Sequence, residues 1–173
     1  MYTFALKQVA IADVIFLASL YSLRVLAGGL ATGIPVSPWL MGFSLFFFLS
    51  LAVLKRYADL RILEASGDAD ASPGRDYSVD DAALLLAMGP ACGYMSVVIL
   101  VLYVQSDKVV RLYGAPELLW LLAPLLVYWI SRVWWIAHRG RMTEDPIVFT
   151  SRDPASWLVG ALALATLTVA TLL

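Results

Sequence analysis

Five separate stretches of this 173-residue chain are apolar over about the length that a lipid bilayer demands, and this recurrence constrains the fold more than any other feature. They cover residues 9–33, 39–54, 82–104, 118–137 and 155–173. A helix crosses the hydrocarbon core with about 20 consecutive apolar residues. Hydrocarbon offers no water to the backbone, so a spanning segment must pair its own peptide groups, which leaves helices and closed barrels. Barrel strands alternate polar with apolar residues, and the run Phe43-Ser44-Leu45-Phe46-Phe47-Phe48-Leu49 does not alternate. The expected fold class is therefore an all-α integral membrane bundle of about five transmembrane helices, one domain over residues 1–173.

Composition agrees: 61% of residues are hydrophobic, 14% are charged and the mean hydropathy is +0.82, whereas soluble domains carry about 25% charged residues. A net charge of −1 gives no reason to expect a nucleic-acid partner. The single cysteine, Cys92, sits in an apolar run, so neither a disulfide framework nor a thiolate metal cluster is available. Lys7 and Asp13 flank a first apolar stretch too long for a signal sequence, and that helix is expected to be retained. No internal repeat and no second soluble domain is visible.

Punctuation divides the stretches. Pro35 and Pro38 break the chain after the first, Ser66 to Gly74 form a polar loop after the second, Gly114 and Pro116 close the third connection, and Gly140 and Pro146 mark the fourth. With alternating crossings, one side of the membrane receives Lys7, Lys55, Arg56, Arg61, Arg75, Arg139, Arg141 and Arg152, and the other only Lys108 and Arg111. The basic side is expected to be cytoplasmic, with the C-terminus outside. Asp59, Glu64, Asp76, Asp80, Asp81, Glu144, Asp145 and Asp153 fall on the same side, so a functional site is expected to open there.

Arg24 lies deep in the first stretch, where a charge costs at least about 2.5–3.5 kcal/mol, so it is expected to face the bundle interior, either awaiting an anionic ligand or paired structurally. Ala27, Gly28, Gly29, Ala31 and Gly33 supply a small-residue packing face. Lys55 and Asp59 are i and i+4 and share a helical face, with Arg56 beside them. Two cations next to one carboxylate at the mouth of a membrane cavity suit a phosphate held with Mg²⁺, which takes one or two carboxylates plus phosphate oxygens; they equally suit an interfacial basic cluster containing a surface ion pair. Trp134 and Trp135 are expected as interfacial anchors, and the lone His138 has no partner at metal-ligand spacing. Asp145 and Asp153 either touch substrate or cap helices, Asp145 preceding a proline.

Several of these residues carry a resemblance. Tyr2-Thr3-Phe4-Ala5-Leu6-Lys7, Asp13, Leu20 to Gly29 (which includes Tyr21 and Arg24), Ser37-Pro38-Trp39-Leu40, Phe48-Leu49-Ser50-Leu51-Ala52, Lys55-Arg56-Tyr57-Ala58-Asp59-Leu60, Trp129 to Arg132, and Glu144 to Phe149 with Asp153 resemble the second half of a UbiA-family intramembrane prenyltransferase. The resemblance implies that the five helices match the last five of a nine-helix bundle around a cavity open to lipid and to the cytoplasm, in a bacterial inner membrane. It implies Mg²⁺ as cofactor, an isoprenyl or polyprenyl phosphate or diphosphate as substrate, and transfer of a prenyl group to an acceptor. By its residue matches, Lys7, Arg24, Lys55 and Arg56 would hold phosphate and Asp59 would hold the metal, with Tyr2, Tyr21, Asp145 and Asp153 as further candidates.

Two departures qualify this. The family's first acidic motif, N-x-x-x-D-x-x-x-D, has no equivalent in the sequence, so autonomous catalysis is not expected: the chain reads either as a fragment of a longer enzyme or as part of a split one with a separate N-terminal half as partner. In the second motif Lys55 stands where the usual form has an aspartate. That form is similar to the decaprenyl-phosphate phosphoribosyltransferase subgroup, which transfers phosphoribosyl to a polyprenyl phosphate, and an added cation offsets the repulsion between two phosphorylated substrates. The rival reading is a non-catalytic membrane subunit that binds polyprenyl lipid. A transporter would show interrupted helices in paired repeats, which this sequence does not.

Overall fold

Five long helices carry the fold in the computed structural model of the chain, which describes residues 9–66, 77–142 and 145–173. They are α1 (Ala12–Thr32), α2 (Pro38–Ser66), α3 (Ala82–Val104), α5 (Leu122–His138) and α7 (Pro154–Leu172). Two short helices, α4 (Asp107–Leu112) and α6 (Pro146–Arg152), lie in the connections, and 3-10 turns at Val79–Asp81 and Pro116–Leu121 lead into α3 and α5. Each of the five is long and apolar enough to cross a membrane, and there is no strand among the described residues. The protein is an all-α integral membrane bundle.

Helix boundaries follow local chemistry. Gly33 ends α1 with φ +70°, a left-handed conformation that glycine adopts without steric cost, and the Ile34 amide returns to the Gly29 carbonyl at 2.9 Å. Ser78 and Asp81 form a capping box ahead of α3. Pro38, Pro116, Pro146 and Pro154 stand at helix starts, where the missing N–H costs nothing.

Two boundaries differ from the sequence expectation. The second helix outruns the apolar stretch 39–54 and continues through its charged segment to Ser66, because the ion pairs Arg56–Asp59 and Arg61–Glu64 at i,i+3 support it and Ala58 and Leu60 remain buried. Hydropathy stops at the first charge; the helix does not. At about 1.5 Å per residue its 29 residues exceed the roughly 30 Å hydrocarbon core, so the final turns stand beyond it. The fourth span starts with the 3-10 turn rather than as α-helix.

The helices pack chiefly on their neighbours in the chain, and α2 also touches α5. The central helix α2 packs on α1 and α3, α3 packs on α5, and α5 packs on α7, with α6 touching α2 and α7. The main core joins Val14, Leu54, Tyr57, Leu85, Val97, Ile130, Val133, Trp134 and Val159. A second cluster of Val104, Val109, Leu119, Leu122 and Ala170 closes the far end, where the Ala115 amide donates to the Ala170 carbonyl. Close approach of α3 to α5 depends on two glycines. Trp134 covers Gly89 and Ile130 covers Gly93, where an added Cβ would fall 2.0 Å and 2.7 Å from the nearest side-chain atoms.

Candidate functional site

Antiparallel crossings bring the start of α1, the end of α2, the start of α3, the end of α5 and the start of α7 to one end of the bundle, and the described ion pairs gather there. Arg56 links two of the carboxylates. Its Nε donates to Asp13 Oδ2 at 2.7 Å and its Nη1 to Asp59 Oδ2 at 3.2 Å. Asp13 is buried and also accepts the Tyr77 hydroxyl at 2.8 Å. Tyr77 in turn accepts the Ile11 amide at 2.7 Å, which holds Ile11 at φ +69°, an unusual conformation for a β-branched residue. Burial first, and then the hydrogen bond to Asp13, push the Tyr77 hydroxyl up to about 12.

One residue earlier on α2, Lys55 pairs with Asp145, which also caps α6 by accepting the Ile147 amide at 3.0 Å. Burial alone would raise the Asp145 carboxyl, but hydrogen bonds from Lys55 and the Ile147 amide outweigh it and hold the group below the usual carboxylate range. Beneath this pair is a cavity of about 170 Å³, lined by Leu17, Tyr21, Phe48, Leu51, Ala52, Lys55 and Asp145. Leu51, Pro146 and Ile147 form a wall shared with a larger apolar groove of about 700 Å³, which extends along Trp129, Trp157, Gly160 and Leu164. A charged mouth and an apolar groove therefore adjoin through one partition.

The expected site residues separate into groups. Lys55 and Asp145 meet at the small cavity, Arg56 and Asp59 pair with each other at the same end of α2, and Tyr21 lines the cavity, stacked on Phe48 with centroids 5.3 Å apart. Tyr2 and Lys7 lie outside the described residues. Arg24 does not face the interior as expected. It is exposed, with its guanidinium 4.7 Å above the Tyr21 ring and no ion pair among the described residues, because α1 packs chiefly on α2 and leaves its other faces uncovered. The i,i+4 pairing of Lys55 with Asp59 is also corrected: Lys55 reaches Asp145 on α6, and Arg56 takes Asp59 at i,i+3. Arg56 itself is buried and committed to carboxylates, which makes it a clamp between helices more than an open phosphate holder.

Asp153 caps α7 and is nearly closed off. It receives both Nη atoms of Arg132, at 2.6 Å and 2.8 Å, together with the Ser156 amide and hydroxyl at 2.8 Å each. Burial would raise its carboxyl, but these donors hold it below the usual range. Trp134, expected at the interface, is instead buried, its indole N–H donating to Ser50 Oγ at 3.1 Å, while Trp135 is exposed under Arg139 as an interfacial ring would be. His138 is exposed at the end of α5 and hydrogen-bonds the Tyr57 hydroxyl at 3.0 Å.

Sequence reasoning missed Asp13, Tyr77 and Arg132 as members of the charged end. For Asp13 and Arg132 the signal was present: an ionised group inside an apolar stretch demands a partner. Tyr77 carried no such signal.

No cluster of three or more His, Cys, Asp or Glu side chains is found among the described residues. Asp59 is 45% exposed and offers hard oxygen ligands. That suits Mg²⁺ held mainly by phosphate oxygens with one carboxylate, and does not suit an all-protein cage.

No known family profile matches the chain. Over 163 residues, 93% of the chain, it is 40% identical to the uncharacterized protein y4nM of Sinorhizobium fredii and covers 31% of that protein. Over 153 residues, 88% of the chain, it is 36% identical to the Nodulation protein NoeC of Azorhizobium caulinodans and covers 49% of it. A stretch of 68 residues, 39% of the chain, is 40% identical to the decaprenyl-phosphate phosphoribosyltransferase of Mycobacterium tuberculosis and covers 22% of it. The chain thus spans about half, or less, of the length of the curated relatives it matches.

Proposed function

We propose that the chain is the membrane-spanning C-terminal half of a UbiA-like transferase that acts on a polyprenyl phosphate. The observation that carries this is the adjacency of Lys55 and its charged neighbours to an apolar groove of about 700 Å³, a pairing that matches a phosphate head on a long hydrocarbon tail. The partial similarity to phosphoribosyltransferases named for decaprenyl phosphate favours phosphoribosyl transfer. In that reaction a lipid phosphate oxygen attacks the ribosyl anomeric carbon and diphosphate leaves with the bonding electron pair. Prenyl transfer from an isoprenyl diphosphate is the second reading, supported by the same apolar groove.

In either reaction Lys55 holds the lipid phosphate at the border of the hydrocarbon, and the groove excludes water from the tail. Asp59, with phosphate oxygens, would hold Mg²⁺, which supplies charge neutralisation of a departing diphosphate. Arg56 positions Asp59 and is itself held by Asp13. The first acidic motif would come from the N-terminal half, and the active face is the cytoplasmic one.

The test is transfer of labelled phosphoribosyl or isoprenyl groups in membranes containing the chain, alone and with a matching N-terminal half. Asp59→Asn keeps the shape but removes a ligand charge, so turnover should fall about 10²-fold or more. Lys55→Ala should chiefly raise the lipid-phosphate concentration needed. Full activity of Asp59→Asn at limiting Mg²⁺ would exclude this site. Absence of both transfers, with the lipid still bound, would instead favour a non-catalytic lipid-binding subunit.

A further inference from the structure

The short helix α6 is fastened very unequally at its two ends. At its C-terminal end, Asp153 is buried and takes both Nη atoms of Arg132 as well as two donors from Ser156. At its N-terminal end Pro146 is buried, and the polar tie to the α2 surface is the Lys55–Asp145 ion pair, whose side chains are 40% and 30% exposed. A part-exposed, monodentate pair yields more readily to a competing anion than a bidentate pair on a buried carboxylate. Phe149, midway along α6, packs on the main core, while Ile147 and Val148 are exposed.

The weak tie lies on the partition. Pro146 and Ile147, directly after Asp145, form with Leu51 the wall between the small charged cavity and the large apolar groove. Any ligand with its charged head at Lys55 and its tail in the groove must cross that wall. It must also compete with Asp145 for the same ammonium group.

We propose that Lys55–Asp145 is a latch which the phosphate of a polyprenyl phosphate releases, letting the N-terminal end of α6 swing about Asp153 and join cavity to groove. This rests on the reading of the chain as a polyprenyl-phosphate protein and adds the way its site opens. A phosphate monoester carries more charge than a carboxylate and offers three acceptor oxygens, so it displaces Asp145 from Lys55. The freed Asp145 continues to cap α6 through the Ile147 amide, so the helix moves as a unit. A lipid-borne phosphate is the key, and not a free one, because the tail gains the apolar groove only when the wall moves.

The test uses the full chain in lipid nanodiscs, with Cys92→Ser and spin labels at Ile62→Cys on α2 and Val148→Cys on α6, both exposed positions. The distance distribution between the labels is measured by pulsed electron resonance. Undecaprenyl phosphate should raise a displaced population at least about tenfold, while undecaprenol and inorganic phosphate at matched concentration should not. Asp145→Asn and Lys55→Gln should each produce that displaced population without ligand. Retention of circular dichroism by each variant separates opening from unfolding.

An unchanged distribution in both variants would overturn the latch. Displacement by inorganic phosphate alone, or by undecaprenol, would overturn the lipid phosphate as its key. Displacement by undecaprenyl phosphate without any transfer activity would leave the latch standing and remove the transferase reading. Transfer without displacement would do the reverse.

Discussion

Asp13 and Arg56 are 43 positions apart in the sequence and meet through a 2.7 Å hydrogen bond with side chains only 3% and 11% exposed. Breaking one member of such a pair leaves an uncompensated charge in a poorly hydrated place. Asp13→Asn or Arg56→Met should each cost on the order of 3–5 kcal/mol, whereas the combined Asp13→Leu, Arg56→Met change should recover much of it. Melting temperatures in detergent test this. Losses that simply add in the double variant would show that the pair is not coupled.

Gly89 is where α5 leans on α3. A methyl group there meets the Trp134 ring at 2.0 Å, so Gly89→Ala should destabilise the bundle by about 1–3 kcal/mol. Gly28 on α1 has open space around its Cβ position, and Gly28→Ala should be neutral or slightly stabilising, by about 0.5–1 kcal/mol. Thermal shift of the two variants side by side gives the comparison, and equal shifts would refute the tight approach at Gly89.

Three groups make stability depend on pH at its extremes. Asp145 and Asp153 have lowered carboxyl values, so their contribution is complete above the ordinary aspartate value of about 3.9 and fades as pH falls through the lowered ones. Tyr77 is raised to about 12, so its contribution is complete below the ordinary tyrosine value of about 10 and disappears as pH climbs through 12. Asp153→Asn should therefore flatten the acid limb of the stability profile, and Tyr77→Phe the alkaline limb. An alkaline limb unchanged in Tyr77→Phe would contradict the buried Tyr77–Asp13 bond.

Five crossings put the end of α2 and the end of α7 on opposite membrane faces. Reporter fusions at Gly67 and after Leu173 should read as cytoplasmic and external respectively, given the basic loops. Reporters on the same face would exclude five spans.

Much of the architecture was legible because each span is a local property: twenty apolar residues declare a helix without reference to anything distant. The i,i+4 spacing of Lys55 and Asp59 was legible for the same reason, and it misled. Spacing shows which groups can meet, and a carboxylate 90 positions away, Asp145, reached Lys55 instead. Trp134 looked like an interfacial ring because its neighbours are charged, yet Gly89, 45 residues earlier, opens a slot that buries it. Asp145 and Asp153 left open whether they cap or bind. Both cap, and only their surroundings divide them, one half-open beside a cavity and the other sealed by Arg132.

The asymmetry between the two ends of the bundle has a mechanical meaning. One end is stitched by charge, and the other is held by the oily contact of Val104, Val109, Leu119, Leu122 and Ala170. Salt and pH pull on the stitches, while bilayer thickness and lateral pressure pull on the oily end. The same five helices therefore answer to two different handles, so a change in lipid composition can loosen one end of the protein while the other keeps its shape.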